Sequence, residues 1–418
     1  MYRKKNNRRL IRRVILYCLV IFSAIFFVRI LGLIITPKNT MYSDFIAFFT
    51  AAKMVTNGVA GQLYNLDMQA AFQQKIIHPY RHELLPYFHP PFQTIVWLPL
   101  TIMPVKWAYW VWVIISLGII IVSLIALNSY FRPKLREDRL IMWLACFSFL
   151  PVVAAFFLGQ DSAISLLIFT LAFLYIKKGK EGKAGAILAL NLFKPHLVSP
   201  ISIILLFKQR WKALGCFFSV ALFLILLSLF MVGWQGAIDY IKLISKVVRW
   251  ENQYGVSPRG MHNLRAFFYF IFGSSQKEIL IYSLVFTTIA FLLLLFLIWR
   301  DKWRPSLHLF DLKFSLLIMV TLLISPHLNT HDLTLWIIPG ILVASYLNQE
   351  IPKIKDYILK ALLPCGYMVG FLSPFYFESL HLQITVIFMI VAVGILAYEI
   401  LSVKIDKIKN GCLSERTG

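Results

Sequence analysis

An all-α polytopic membrane protein is the fold class this sequence predicts, and three observations carry that prediction. Apolar residues make up 59% of the 418-residue chain and charged residues only 15%, with a mean hydropathy of +0.73. Apolar runs of about 20 residues, the length that crosses a bilayer as a helix, recur from one end to the other. The basic residues behind the net charge of +23 fall in clusters between those runs. Short segments of alternating hydrophobicity, the mark of a transmembrane barrel, are not visible. So dense a series of spans leaves no room for a large soluble domain. With no long repeat, low-complexity tract or linker, residues 1–418 read as one membrane domain.

The elements follow in order. Val14–Ile35 is the first span. Its flank "RKKNNRRLIRR" (3–13) is strongly basic, its apolar part is too long for a secretory signal, and no small-residue cleavage site follows. It reads as a retained span that starts in the cytoplasm and emerges outside at "TPKN" (36–39). Under the positive-inside rule, "FRPKLREDR" (131–139), "KKGKEGK" (177–183), "KQRWK" (208–212), "RDKWR" (300–304), "KIK" (353–355) and "KIDKIK" (404–409) are cytoplasmic as well. All are satisfied if Val105–Ser129 runs inward, Leu140–Phe157 outward and Ser162–Ile176 inward. "AGAILALNLF" then rises to Lys194 and "LVSPISIILLF" returns to "KQRWK". These arms are short for full spans and predict a broken or re-entrant pair meeting near "KPH".

Ala213–Val232 then runs outward, Ile279–Trp299 inward, Phe314–Ser325 outward and Leu333–Leu347 inward. Tyr357–Phe375 and Ile384–Val403 complete a set of about 10–12 transmembrane helices with both termini cytoplasmic. "PPFQTIVWLPLTIMP" (90–104) is too short and proline-rich to span, and a crossing there would put "FRPKLREDR" outside. It is expected to lie in the outer interface. Two sizeable outer segments result, 37–104 and 233–278.

Several function classes fall away. The positive charge is a topology signal rather than a nucleic-acid patch. The five cysteines are scattered and show neither metal-ligand spacing nor a disulfide framework. No Walker lysine loop, glycine-rich dinucleotide turn or DxD pair appears. No metal or other cofactor is called for. A donor used on the outer face, away from cytoplasmic nucleotides, would have to arrive as a lipid.

Polar residues at outer membrane depth are costly, so each cluster of them is a candidate. Asp44 lies in "YSDFIAFFTAAKMV". Tyr87 and His89 lie in "YFHPPF", and Gln160 and Asp161 in "FLGQDSA". Lys194 and His196 lie in "LNLFKPHLVSP", and His327, His331 and Asp332 in "SPHLNTHDLTLW". Each has a bland reading. Ser43 can cap a helix whose first turn contains Asp44, where a carboxylate suits the exposed amide dipoles. Lys194 can snorkel to the headgroups. His196, His327 and Asp161 read equally as solvated loop residues. What favours a site is that every one falls on the same face once topology is set from unrelated lysines and arginines.

The ordered series "DFIAFFTAAKMVTNGVAGQLYN", "YFHPPFQTIVWLPLTIMP", "WAYWVW", "FLGQDSA", "AGAILALNLFKPHL", "QRWKA" and "SPHLNTHDLTLWIIP" resembles glycosyltransferase family 87. That family comprises membrane transferases of the GT-C architecture that use polyprenyl-phosphate sugars, and the likeness runs from Asp44 to Pro339. It implies a GT-C-type fold with outer-face juxtamembrane helices and an outer catalytic loop after the first span. Asp44 matches the family's catalytic aspartate. The reaction implied moves one hexose, mannose-like, from a polyprenyl-phosphate donor to a hydroxyl of a glycan or glycolipid acceptor, at the outer face of the cytoplasmic membrane. It proceeds with inversion, Asp44 acting as general base. Lys194, with His331 or Arg265, would stabilise the leaving phosphate, and His89, Gln160 and Asp332 are the further substrate contacts.

Departures leave the sugar and acceptor open. His89 stands where the family usually shows an aromatic, and Asp161 where an asparagine often follows "GQ". Asp332 matches one branch, whereas the mycobacterial mannosyltransferase branch tends to carry paired histidines there. Two other classes compete. A lipid-linked oligosaccharide flippase would line a path between both faces with charge. An O-antigen ligase-like enzyme would place its large outer loop and arginines late in the chain.

Overall fold

A computed structural model describes residues 41–414, apart from 81, 132–135, 248–249, 251–252, 255, 274, 350–351, 353, 355 and 381–382, and isolated positions before 41. The expected first span, its basic flank and the "TPKN" turn lie outside the described residues, as do 132–135 of "FRPKLREDR" and 353 and 355 of "KIK". Among the described residues the chain is helical and without strands. We number the helices α1 (Phe45–Thr56), α2 (Leu66–Ile77), α3 (Val105–Phe131), α4 (Arg136–Phe147), α5 (Leu150–Leu158), α6 (Ser162–Lys177), α7 (Glu181–Ala189), α8 (Pro195–Phe207) and α9 (Trp211–Val247). There follow α10 (Leu264–Phe272), α11 (Lys277–Trp299), α12 (Leu309–Ile324), α13 (Ile337–Gln349), α14 (Asp356–Leu380) and α15 (Ile384–Ser414).

Among the described residues five segments are long and apolar enough to cross a bilayer alone: 105–128, Trp211–Val247, Lys277–Trp299, 330–349 and 384–405. The protein is a multi-pass membrane protein. α4 and α5 are long and apolar enough for a sixth only when taken together as a pair bent by 43°. The sequence predicts one continuous helix there. Pro151 accounts for the break: it sits in the first turn of α5 and has no N–H with which to continue α4, and the N-cap residue Phe149 is in extended backbone. Among the described residues the other expected crossings rest on shorter apolar stretches, among them α6, α8 and 357–372 of α14, so the expected count is reached only by including these. Such helices are tolerated where protein, rather than lipid, covers their ends.

The expected pair around "KPH" is present. α7 continues as a 3-10 turn, Leu190–Phe193, up to Lys194, and α8 returns from it. Gly185 of α7 packs so close to α9 that a Cβ there would lie 1.9 Å from the Ala213 carbonyl oxygen. Small residues of this kind let helices approach in membranes. α9 changes direction at Gly233 (φ +70°), the expected start of the second outer segment. Residues 90–104 form two short 3-10 turns, Pro91–Val96 and Leu98–Ile102, because repeated prolines remove the donors a longer helix needs.

The expected N-cap, Ser43 with Asp44 in the first turn, is corrected by one residue. Asp44 itself occupies the N-cap position, and its side chain makes no capping hydrogen bond, leaving the carboxylate for other partners.

Two polar ends emerge. At one, Lys177 meets Asp311 at 2.8 Å and Arg210 pairs with Glu181. Asp301 there takes Lys313 at 2.6 Å and Lys404 at 3.5 Å, and the Asp301 carbonyl accepts from Lys208 at 2.6 Å. Basic clusters far apart in sequence thus come together. The 16 residues of α6 carry the chain about 24 Å from Asp161 to Lys177. α3 runs between the same ends, with the Tyr109 hydroxyl on the Phe157 carbonyl (2.9 Å) and the Tyr130 hydroxyl on Asp311 (2.6 Å). The intervening core is apolar, and a second core rich in aromatic residues lies beneath residues 45–112. In it Phe48 stacks on Trp97 at 4.5 Å, and Trp97 meets Trp112 at 4.0 Å.

This arrangement fixes relative sidedness. Single cysteines at the exposed positions Lys178 and Lys212 are expected to react alike with a membrane-impermeant thiol reagent in oriented vesicles, while His82→Cys reacts from the opposite side. Opposite labelling of Lys178→Cys and Lys212→Cys would break the α7–α8 hairpin.

Candidate active site

The site is built on a helix ending. α5 closes with Gly159 in the left-handed region (φ +63°), its N–H on the Phe156 carbonyl (3.0 Å) and the Gln160 N–H on the Ala155 carbonyl (2.9 Å). This is the Schellman pattern, which favours glycine at the turning residue. Steric need adds to it, since a Cβ on Gly159 would sit 2.7 Å from Cβ of Phe45. The "GQDS" turn is therefore pressed against the start of α1. There the Gln160 Nε2 donates to Asp44 Oδ2 at 2.7 Å.

The next residue, Asp161, is fully buried, and Lys194 reaches it from the hairpin apex. The Lys194 ammonium lies 2.6 Å from Asp161 Oδ1 and 2.6 Å from Asp332 Oδ1, the second contact also being a well-directed hydrogen bond. Ser162 Oγ is 3.4 Å from the ammonium and donates to Asp332 Oδ1 at 3.1 Å. Asp332 Oδ2 accepts from the Asn329 N–H at 3.2 Å and faces His331 Nε2 at 3.5 Å. The second Asp161 oxygen accepts from Gln93 Nε2, and the Tyr87 hydroxyl lies against Gln93 Oε1 at 3.2 Å.

Histidines line the rest. His89 Nδ1 sits 3.2 Å from the Phe193 carbonyl, which only accepts, so Nδ1 carries the proton and Nε2 is an acceptor. Burial pushes this imidazole below its ordinary range, against the pull of Asp161, so it is neutral at neutral pH. Burial likewise pushes His327 down to about 4, and the Arg265 and Lys194 charges add to the effect. His262, pushed to about 4 by burial, bridges Thr385 Oγ1 (2.8 Å) and Thr330 Oγ1 (2.9 Å). Asn263 caps α10 through the Ala266 N–H and donates to the Ser325 carbonyl, both at 2.9 Å. These contacts clamp the second outer segment onto the "SPHLNTHD" turn. Buried Nε2 of His196 and Nδ1 of His331 have no hydrogen-bond partner among the described residues.

The sequence candidates therefore gather. Gln160 binds Asp44, Lys194 binds Asp332, His331 adjoins Asp332, and His89 backs onto the Lys194 turn. Asp44 is within electrostatic reach of His331. Arg265, half-buried on the first turn of α10, lies at the His327 side of the cluster. Two residues matter more than the sequence reading allowed. Asp161 is a buried ion-pair partner rather than a solvated loop acid, and Gln93, which was not singled out, supports it. The signal for Gln93 was weak: one amide in the otherwise apolar "PPFQTIV". Lys194 is also not a free cation. Its ammonium is already matched by two carboxylates.

Residues 87–326 match the sequence profile of glycosyltransferase family 87, more than half of the chain. The chain belongs to that family. No curated protein and no solved structure matches it. As a family 87 member it is a membrane glycosyltransferase. The matched stretch holds His89, Gln160, Asp161, Lys194 and Arg265, whereas Asp44, His331 and Asp332 lie beyond its ends and join the site through geometry.

Because Lys194 pairs with two buried acids, Lys194→Met is expected to lower stability by about 3–5 kcal/mol, the cost of leaving buried charge unpaired. Thermal unfolding in detergent checks this. Adding Asp161→Asn and Asp332→Asn should recover much of the loss, and no recovery would show that the ammonium, not the pairing, is what the fold requires.

Proposed function

We propose that this glycosyltransferase moves a single hexose, mannose-like, from a polyprenyl-phosphate donor to a hydroxyl of a glycan or glycolipid, at the outer face of the cytoplasmic membrane. The observation that carries the reading is the position of Asp44. It is a half-buried carboxylate at the edge of a buried charged cluster, at the end of the bundle opposite the lysine-rich one. With the basic end cytoplasmic by the positive-inside rule, the Asp44 end faces outward, where no nucleotide sugar is available. The single membrane domain over residues 1–418 supplies both outer segments, 37–104 and 233–278, to this end.

In the reaction, Asp44 takes the acceptor hydroxyl proton as the acceptor oxygen bonds to the anomeric carbon. The bond from that carbon to the phosphate oxygen breaks, and polyprenyl phosphate leaves with the electron pair. Attack opposite the leaving group inverts the centre. Charge on the leaving phosphate calls for donors. Arg265 and His331 supply them, and Lys194 contributes by exchanging one of its two carboxylates for the phosphate. Neutral His89, with Nε2 an acceptor, suits a sugar hydroxyl better than a phosphate. Asp332, held by Lys194, orients His331, and Gln160 completes the Asp44 side.

The flippase reading is less well supported. It calls for charge along the path between faces, whereas the middle turns of α6 carry no charged residue, with Leu166, Phe169 and Phe173 buried there. A general base typically contributes about 10²–10⁴-fold. Asp44→Asn, which keeps size and removes only charge and proton affinity, should therefore lower transfer by about that factor at equal membrane abundance. Transfer within a few-fold of wild type would sink the assignment.

A further inference from the structure

The geometry points to Gln160 as the positioning residue for Asp44, holding the base through one carboxylate oxygen so that the other meets the acceptor hydroxyl. The inference rests on the reading of Asp44 as the base.

Three observations converge on it. The first is contact: Gln160 Nε2 stands 2.7 Å from Asp44 Oδ2. The amide must present its nitrogen, because its oxygen would oppose a carboxylate. Second, Asp44 is not held in the way its place at a helix start suggests, since it makes no side-chain capping bond. Without Gln160 it would be free to turn and satisfy the open amides of α1. Third, Gln160 is anchored on both sides. Its own N–H closes the Schellman turn on Ala155 at 2.9 Å, and the following residue, Asp161, is fixed by Lys194 and Gln93. The side chain, only 8% exposed, is thus a rigid reference for a half-buried carboxylate.

One chemical consequence follows. A hydrogen bond from a neutral amide fixes a carboxylate without supplying or accepting a proton, so the base keeps its capacity to take the acceptor proton. A lysine or arginine in place of Gln160 would fix it equally well and weaken it as a base. A glutamate would repel it.

The test uses the full-length protein in nanodiscs. Donors are a panel of polyprenyl-phosphate hexoses (mannose, glucose, galactose), and the acceptor is a glycolipid extract of the host membranes. Gln160→Ala is expected to lower kcat by about 10–100-fold, the usual cost of a misplaced catalytic group, with KM changed less than about threefold. Gln160→Glu, nearly isosteric, sets a second carboxylate against the first. It should move the acid limb of the rate profile to higher pH by about one unit or more. That shift reports the contact itself; a hydrogen bond that merely tied α1 to α5 would lower the unfolding temperature of Gln160→Ala and leave its kcat near wild type. Asp44-dependent transfer with an unshifted acid limb in Gln160→Glu, or a normal kcat in Gln160→Ala, overturns the positioning role alone. Absence of any Asp44-dependent transfer from the panel overturns the reading beneath it, and the positioning role with it.

Discussion

One ammonium holds this site together. Lys194 sits between Asp161 and Asp332, residues separated from it by 33 and 138 positions, and both contacts are 2.6 Å. All three side chains are nearly or wholly buried, in a protein whose surroundings are largely lipid. Charge in such a place is tolerated only when matched, since desolvation must be repaid by the partner and by further hydrogen bonds. Those further bonds are present: Gln93 on one acid, Ser162 and the Asn329 N–H on the other. The "GQDS" turn, the hairpin apex and the "THD" turn therefore have to stand at one depth. The rest of the site is fixed as a result, because Gln160 precedes Asp161, His331 precedes Asp332, and the Phe193 carbonyl that holds His89 precedes Lys194.

The charge balance of the cluster shapes its chemistry. Two carboxylates around one ammonium leave a surplus of negative charge, and the neighbouring imidazoles outside the spans are neutral by burial. Such an interior suits hydroxyl groups and proton transfer more readily than it suits a resident anion. A phosphate has to be met at the edge, on the Arg265 side, or by displacing a carboxylate from Lys194. Asp44 is on the edge as well, half-buried where the rest is closed. The division between a closed ionic interior and an open rim is what lets one small region hold its own charges and still receive substrate.

Much of the architecture was legible in the sequence because it follows from hydropathy and charge position. The basic clusters placed on one side by the positive-inside rule do meet, as Arg210 with Glu181 and Lys208 with Asp301. The hairpin apex at Lys194 and the turn at Gly233 fall where the apolar runs end. Pro151 was visible yet its effect was not drawn, and the span containing it is bent. The candidate acids and histidines were found because polar residues at membrane depth are few. Their pairing was not found. Nothing in residue spacing says which of several acids a lysine will meet, since any carboxylate serves and only packing chooses. Asp161 for that reason reads equally as a site residue and as a loop acid, and the amide of Gln93 carries no signal of its own. The N-cap falls on Asp44 rather than Ser43, and Asp44 makes no capping bond because a buried glutamine on another turn takes its carboxylate.

The two ends of the bundle are also mechanically one object. α6 begins beside Asp161 and ends at Lys177, which pairs with Asp311 near the start of α12. α12 in turn leads to Ser325, whose carbonyl takes Asn263 and so anchors the segment bearing Arg265. A loop of contacts thus runs from the site down α6, across the Lys177–Asp311 pair, and up α12 to the opposite wall of the site. Close-packed helices of this kind transmit displacement with little give.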